Sequence, residues 1–310
     1  MSGAPFQEVN AASIFINSLE ERKGRLCHKQ GMTTATVPDH SELLRQLEEP
    51  YALNAEQIAR FHRDGYIKLK QVLSAEVIAH YGEEITRQVV RLNDQAKPMS
   101  ERTTYEKAFL QIMNLWTKSG IVKEFSFSKR LARIAAELMK VKGVRMYHDQ
   151  ALYKEPGGGI TPWHADQYYW PLETNHIVTA WIPLQATPLE LGPLAFSVGS
   201  QQFEMGRELE ISDESEAKLQ RSLKDHNYPL DEAPFDLGEV SFHLGWTFHR
   251  AAPNTSDRAR AVMTVIYFED GCRIIEPKTK HHHSDLASWM PGLKPGDLAA
   301  SPLNPVLYRA

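Results

Sequence analysis

Thr161-Pro162-Trp163-His164-Ala165-Asp166-Gln167 stands in the strand-rich half of the chain. In an extended segment, residues two apart point the same way, so His164 and Asp166 can aim an imidazole and a carboxylate at one point. Alone, H-x-D is a weak signal, and surface or structural hydrogen bonding accounts for most such pairs. Its surroundings decide the fold. Val144 to Tyr153 alternates loosely. Ile177 to Leu184, Leu194 to Val198, Val240 to Phe242 and Ala259 to Phe268 are β-rich and bounded by Gly, Pro and Asn. Short strands divided by turn signals predict a sandwich or barrel.

Upstream the pattern is helical. Asn54-Ala55-Glu56-Gln57 reads as a capping box opening a short helix through Phe61, which Gly65 ends before a strand at Tyr66 to Leu69. Ser74 caps a helix to about Leu92, with Val77, Ile78, Tyr81, Ile85 and Val89 at helical spacing. Ser128 caps another, with Leu131, Ile134, Ala135, Leu138 and Met139 on one stripe. Helices first and strands later predict a mainly β fold with an antiparallel core and flanking helices outside it.

The composition narrows the function. The chain has 310 residues, 35 Lys+Arg against 39 Asp+Glu, and a formal net charge of -4, which gives no reason to expect nucleic acid or an anionic membrane as partner. Two cysteines, Cys27 and Cys272, form neither a C-x-x-C pair nor a disulfide framework, which fits a cytoplasmic protein. No apolar run approaches the roughly 18 residues of a membrane helix, and no signal peptide is visible. Residues 1–50 read as an N-terminal arm. Its first part, 1–31, is either an added leader before a natural start at Met32 or a native amphipathic arm. Residues 51–310 read as one domain, with a charged insertion or lid over about 201–237.

A second stretch adds specificity. Ser241-Phe242-His243-Leu244-Gly245-Trp246-Thr247-Phe248-His249 is followed by a Pro253-Asn254 turn and a strand containing Arg260. Two His and one carboxylate on one face of iron leave the remaining positions open. A chelating 2-oxo acid fills two of those and dioxygen the last. The far carboxylate of that acid needs a fixed cation, and arginine offers a planar, permanently charged fork. His243 and His249 both compete for the distal ligand role. Spacing to Arg260 and the following turn favour His249, leaving His243 to pack or hydrogen-bond near the site.

The order H-x-D, distal His, then Arg eleven residues on resembles the phytanoyl-CoA dioxygenase family. The resemblance runs from about Asn54 to Tyr308. It is specific in Tyr147-His148-Asp149-Gln150-Ala151-Leu152-Tyr153-Lys154, Thr179-Ala180-Trp181-Ile182-Pro183-Leu184, Gly192-Pro193-Leu194 and Ser301-Pro302-Leu303-Asn304-Pro305. It implies a double-stranded β-helix (jelly-roll) core and an Fe(II)- and 2-oxoglutarate-dependent dioxygenase that consumes O2 and releases succinate and CO2. It implies His164, Asp166 and His249 as iron ligands and Arg260 as partner of the 2-oxoglutarate C5 carboxylate. Trp181, Thr179, Gln150 and Lys154 would line the co-substrate site. One departure is visible: Gln201 stands where the family usually has His. Asp166 favours hydroxylation over halogenation, since related halogenases carry a small residue there.

Other features stay open at this level. Tyr168, Tyr169 and Trp170 either line a substrate pocket or pack the barrel. His281-His282-His283 reads as a solvated loop, since three consecutive side chains cannot face one ion in regular structure. Pro156-Gly157-Gly158-Gly159 reads as a connection leading into the metal strand, not a phosphate loop. A small-molecule substrate is expected, hydroxylated at an unactivated C–H bond. The alternatives are desaturation or ring formation on the same iron, a zinc hydrolase, or a binding protein on the same fold.

Overall fold

A computed structural model describes residues 39–310. Eight α-helices and eleven strands are described: α1 His40–Glu48, α2 Ala55–Asp64, β1 Tyr66–Leu69, α3 Ala75–Leu92, α4 Thr104–Ala108, β2 Leu110–Met113, α5 Gly120–Ser126, α6 Lys129–Met139, β3 Gly143–Lys154, β4 Thr161–His164, β5 Ile177–Pro183, β6 Leu194–Ser197, α7 Asp213–Asp225, β7 Leu230–Asp231, β8 Val240–Leu244, β9 His249–Ala251, β10 Arg260–Glu269, α8 Lys280–Trp289 and β11 Val306–Arg309.

Two antiparallel sheets form the core. One runs β1-β8-β5-β10-β3-β11, with β2 also paired to β3; the other runs β4-β9-β6-β7. This is the jelly-roll arrangement: neither sheet follows chain order, because between β3 and β10 the chain passes back and forth between the two, with only β6 and β7 consecutive in one sheet. The strand period of two divides the large sheet by face. On β10, Ala261, Met263, Val265 and Tyr267 pack outward with Val77, Ile85, Leu131 and Ile134 of α3 and α6. The alternate residues, from Arg260 through Thr264 to Ile266, turn toward the second sheet. There the inner residues Trp181 and Val262 meet Leu194 and Phe196, and Tyr66 stacks on Phe196 at 4.1 Å.

The expected helix starts are met by real caps. Asn54 and Gln57 exchange both bonds of a capping box, and Ser74 and Ser128 each cap their helix through the side chain. Gly65 closes α2 at φ +82°, and a Cβ there would lie 2.4 Å from Gln201 Oε1 and 2.6 Å from Thr247 Oγ1. Gln201, the departure noted above, donates to the carbonyls of His62 and Arg63. It thus braces this turn instead of reaching the centre of the fold.

Three expectations need correction or redrawing. Residues 1–38, most of the expected arm, lie outside the described residues, but α1 within that arm packs Leu43 and Leu47 into the core. Within the stretch 201–237, expected as a charged insertion or lid, α7 buries Leu219 and Leu223 against Trp163 and Phe248. His281-His282-His283 is helical, not a solvated loop, because Thr279 caps α8 through its side chain to His282 N. Among the described residues, no helix is long and apolar enough to cross a membrane.

Candidate metal centre

His164 ends β4 and His249 begins β9, and the antiparallel register sets them directly opposite, with ring centroids 4.1 Å apart. Each imidazole is fixed by its own strand. His164 Nδ1 lies 2.7 Å from Pro162 O, and His249 Nδ1 lies 2.9 Å from Thr247 O. A carbonyl can only accept, so each Nδ1 carries the proton and each Nε2 keeps a free lone pair.

Asp166 follows β4 by one extended residue and completes the group. Its Oδ1 sits 3.5 Å from His164 Nε2 and 3.6 Å from His249 Nε2. The ligand atoms of the three residues all lie within 4.8 Å of one another. The other carboxylate oxygen is occupied: Thr179 Oγ1 donates to Oδ2 at 3.0 Å, and His243 Nε2 approaches it at 3.3 Å. His243 therefore touches the carboxylate, not the point on which the three ligand atoms converge. Burial alone would push the Asp166 carboxyl up, but His249, His164 and His243 outweigh it and hold it well below the usual carboxylate range. Burial pushes His249 well below the ordinary imidazole value. A neutral imidazole and an ionised carboxylate are the forms a metal requires. Two nitrogens and one oxygen on one side, with a cavity on the other, fit Fe(II).

That cavity holds about 520 Å3 between the sheets. Arg260 lines it at 2% exposure, donating Nη1 to Gly192 O at 2.5 Å and lying 5.4 Å from the Trp181 ring. Burial pushes the guanidinium down to about 9, its Nε has no hydrogen-bond partner, and among the described residues no carboxylate lies within ion-pair distance. A buried cation without an anion is a site for one.

The remaining expected residues divide. Trp181, Thr179, Gln150, Tyr169, Trp170 and His243 all line the cavity. Gln150 accepts from Gln111 Nε2 at 2.6 Å, so it is oriented by its neighbour strand β2. Lys154 is buried but turned away: its Nζ donates to the carbonyls of Gly159 and Ala252, clamping β3 to the loop before β4 and the end of β9. Tyr168 also lies outside, its ring against Tyr169 and His281.

Sequence reasoning missed a wall. Tyr105, Phe109, His148, Glu210, Asp285 and Trp289 line the same cavity. They come from α4, β3, the charged stretch and α8, far apart in the chain, and no local spacing links them. The charged stretch also braces the metal strands, since Glu216 accepts from Trp163 N at 2.9 Å and from Arg250 Nη1 at 3.0 Å.

Comparison with known proteins agrees with this geometry. The family model described as phytanoyl-CoA dioxygenase matches residues 61–262. An ectoine dioxygenase of Streptomyces anulatus is 24% identical over 221 residues, covering 69% of this chain and 73% of that protein. Among solved structures, the epimerase SnoN with Fe3+, alpha ketoglutarate and nogalamycin RO superposes at TM-score 0.68 and 22% identity, covering 87% of this chain and 100% of its own. EctD from S. alaskensis with 2-oxoglutarate and 5-hydroxyectoine gives 0.60 and 18%, covering 82% and 86%.

Proposed function

The chain belongs to the phytanoyl-CoA dioxygenase family and is a non-haem Fe(II)- and 2-oxoglutarate-dependent dioxygenase; on that premise we propose that it hydroxylates an unactivated C–H bond of a small metabolite. The observation that carries the residue assignment is the convergence of His164, Asp166 and His249 in one cavity with the unpaired Arg260. His164, Asp166 and His249 would hold Fe(II). With 2-oxoglutarate and O2, the bound iron supplies the oxidising power for the C–H bond, and the products are hydroxylated substrate, succinate and CO2.

The protein's own residues prepare this. Nδ1–H bonds to Pro162 and Thr247 fix which nitrogen each imidazole offers. Thr179 and His243 hold Oδ2 of Asp166 so that Oδ1 faces the two histidines. Arg260 anchors the far carboxylate of 2-oxoglutarate, with Trp181 packed at its side. His164 and His249 are buried between the sheets, which limits the access of bulk water to the reacting groups. Two cysteines without a disulfide framework support a cytoplasmic setting.

The test is anaerobic addition of Fe(II), then 2-oxoglutarate, to metal-free protein. A weak visible charge-transfer band is expected, and in air the protein releases succinate. His164→Ala should lose both. Full activity in that variant, or tight Zn(II) binding with no band from Fe(II), refutes the assignment.

A further inference from the structure

The chamber treats charge differently at its two ends. Arg260 marks one: among the lining residues it is the single arginine, and there is no lysine. The triad lies away from it, since Asp166 is bonded to Thr179, and Thr179 pairs with Ile266, six residues along β10 from Arg260. Beyond the triad come Tyr169 and Trp170. Helix α8 docks on this segment, where His282 Nε2 meets Tyr168 O at 3.0 Å. Asp285 and Trp289 of α8 therefore wall the end opposite Arg260.

Asp285 is the unanswered charge of that end. Glu210, the other lining acid there, is already met by Lys280 at 3.0 Å and His281 at 2.5 Å. Asp285 accepts from two neutral donors, the Tyr147 hydroxyl at 2.8 Å and the Trp289 side chain, and no lysine or arginine among the described residues lies within ion-pair distance. Burial pushes its carboxyl up to about 6, although the hydrogen bonds from Tyr147 and Trp289 pull it back. Its neighbours are aromatic: Trp289, Trp170, Tyr169, Tyr105 and Phe109 line the same space. His148, whose ring lies 5.1 Å from Trp289, adds no cation, since burial pushes it down to about 4.

A largely desolvated carboxylate met only by neutral donors raises the free energy of the empty protein, and a cation relieves it. The faces of aromatic rings attract the same charge. A phosphate or a CoA thioester would meet carboxylates and no free cation at this end. We infer that the substrate carries a cationic amine, seated against Asp285 among the rings of Trp289, Trp170, Tyr169 and Tyr105. The inference rests on the oxygenase reading above and names its substrate class.

Three probes of one shape test it: 2-phenylethylamine, 2-phenylethanol and phenylacetate, cationic, neutral and anionic. Each is titrated calorimetrically into the full chain under anaerobic conditions, with Fe(II) and saturating 2-oxoglutarate so that Arg260 is occupied. The amine should bind at least about tenfold tighter than the alcohol, and phenylacetate weakest. Asp285→Asn keeps an acceptor for Tyr147 and should erase that preference. Equal binding of amine and alcohol in the parent protein overturns the inference without any variant, as does a preference that survives in Asp285→Asn. The Fe(II)–2-oxoglutarate band is recorded on the same samples, and amine and alcohol are also compared on metal-free protein. A band without amine preference refutes this inference and leaves the oxygenase reading intact. Amine preference without a band does the reverse.

Discussion

Replacing Arg260 by Met should separate co-substrate binding from folding. Arg260 is buried, its guanidinium donates to the Gly192 carbonyl, and among the described residues no carboxylate lies within ion-pair distance of it. Truncating one partner of a buried, hydrogen-bonded charge pair removes about 2–5 kcal/mol. At 1.4 kcal/mol per decade, 2-oxoglutarate should bind roughly thirty- to several-thousand-fold more weakly. Linkage turns this into a thermal signal. At a ligand concentration about one hundred times its Kd, the parent protein gains about 2.7 kcal/mol of stability. A variant bound even a hundredfold more weakly gains less than about 0.5 kcal/mol under the same conditions. At about 2–4 °C per kcal/mol for a body of this size, the parent's shift of several degrees collapses to about one. Thermal unfolding with and without 2-oxoglutarate, alongside anaerobic titration of the visible band, measures both quantities. Arg260→Lys should recover part of the loss, since it restores a point charge but not the planar fork. Affinity of the Met variant within about threefold of the parent, which is under 1 kcal/mol, refutes the role assigned to Arg260.

Other outcomes follow from named contacts. Thr179→Val keeps shape but removes the donor to Asp166 Oδ2; Fe(II) affinity, read by chelator competition, should fall about ten- to hundredfold, and an unchanged value contradicts the orienting role. Asp149 is buried on β3, with Ser126 Oγ at 2.6 Å and Trp116 N at 3.1 Å, and burial pushes its carboxyl up to about 7. An acid raised on folding stabilises the native state fully below its unfolded value near 3.8, and that contribution is lost as pH rises through about 7. Asp149→Asn should therefore flatten the decline of stability between those values; a slope identical to the parent's in denaturant titrations rules this out. Gly65→Ala forces a side chain into a left-handed turn against Gln201 and Thr247. It should lower stability by about 1–3 kcal/mol, and an unchanged Tm would show that the turn relaxes freely.

Much of this was written locally. A capping residue needs only its own helix, so Asn54, Ser74 and Ser128 marked helix starts without tertiary help. The strand period put His164 and Asp166 on one aim, and the spacing from His249 to Arg260 separated the two histidine candidates. The structure agrees with that separation: His243 reaches the far oxygen of Asp166, while His249 lies opposite His164. Helix α8 was hidden because three histidines mask its pattern and one polar residue, Thr279, starts it.

What the sequence by itself determined is the chemistry: which side chains can bind a metal, which cation can hold a second carboxylate, and the class of fold that presents them. Those properties belong to residue types and short spacings. Only the tertiary structure decided which residues face the cavity and which only brace it. Lys154 and Gln150 share one face of β3, yet carbonyls from two other segments claim the lysine, while β2 turns the glutamine inward. The wall of Asp285, Trp289 and Tyr105 exists because α4 and α8, distant in the chain, close over the same end of the barrel. Long-range packing has no periodic signature, so this wall of the cavity appears only once the chain is folded.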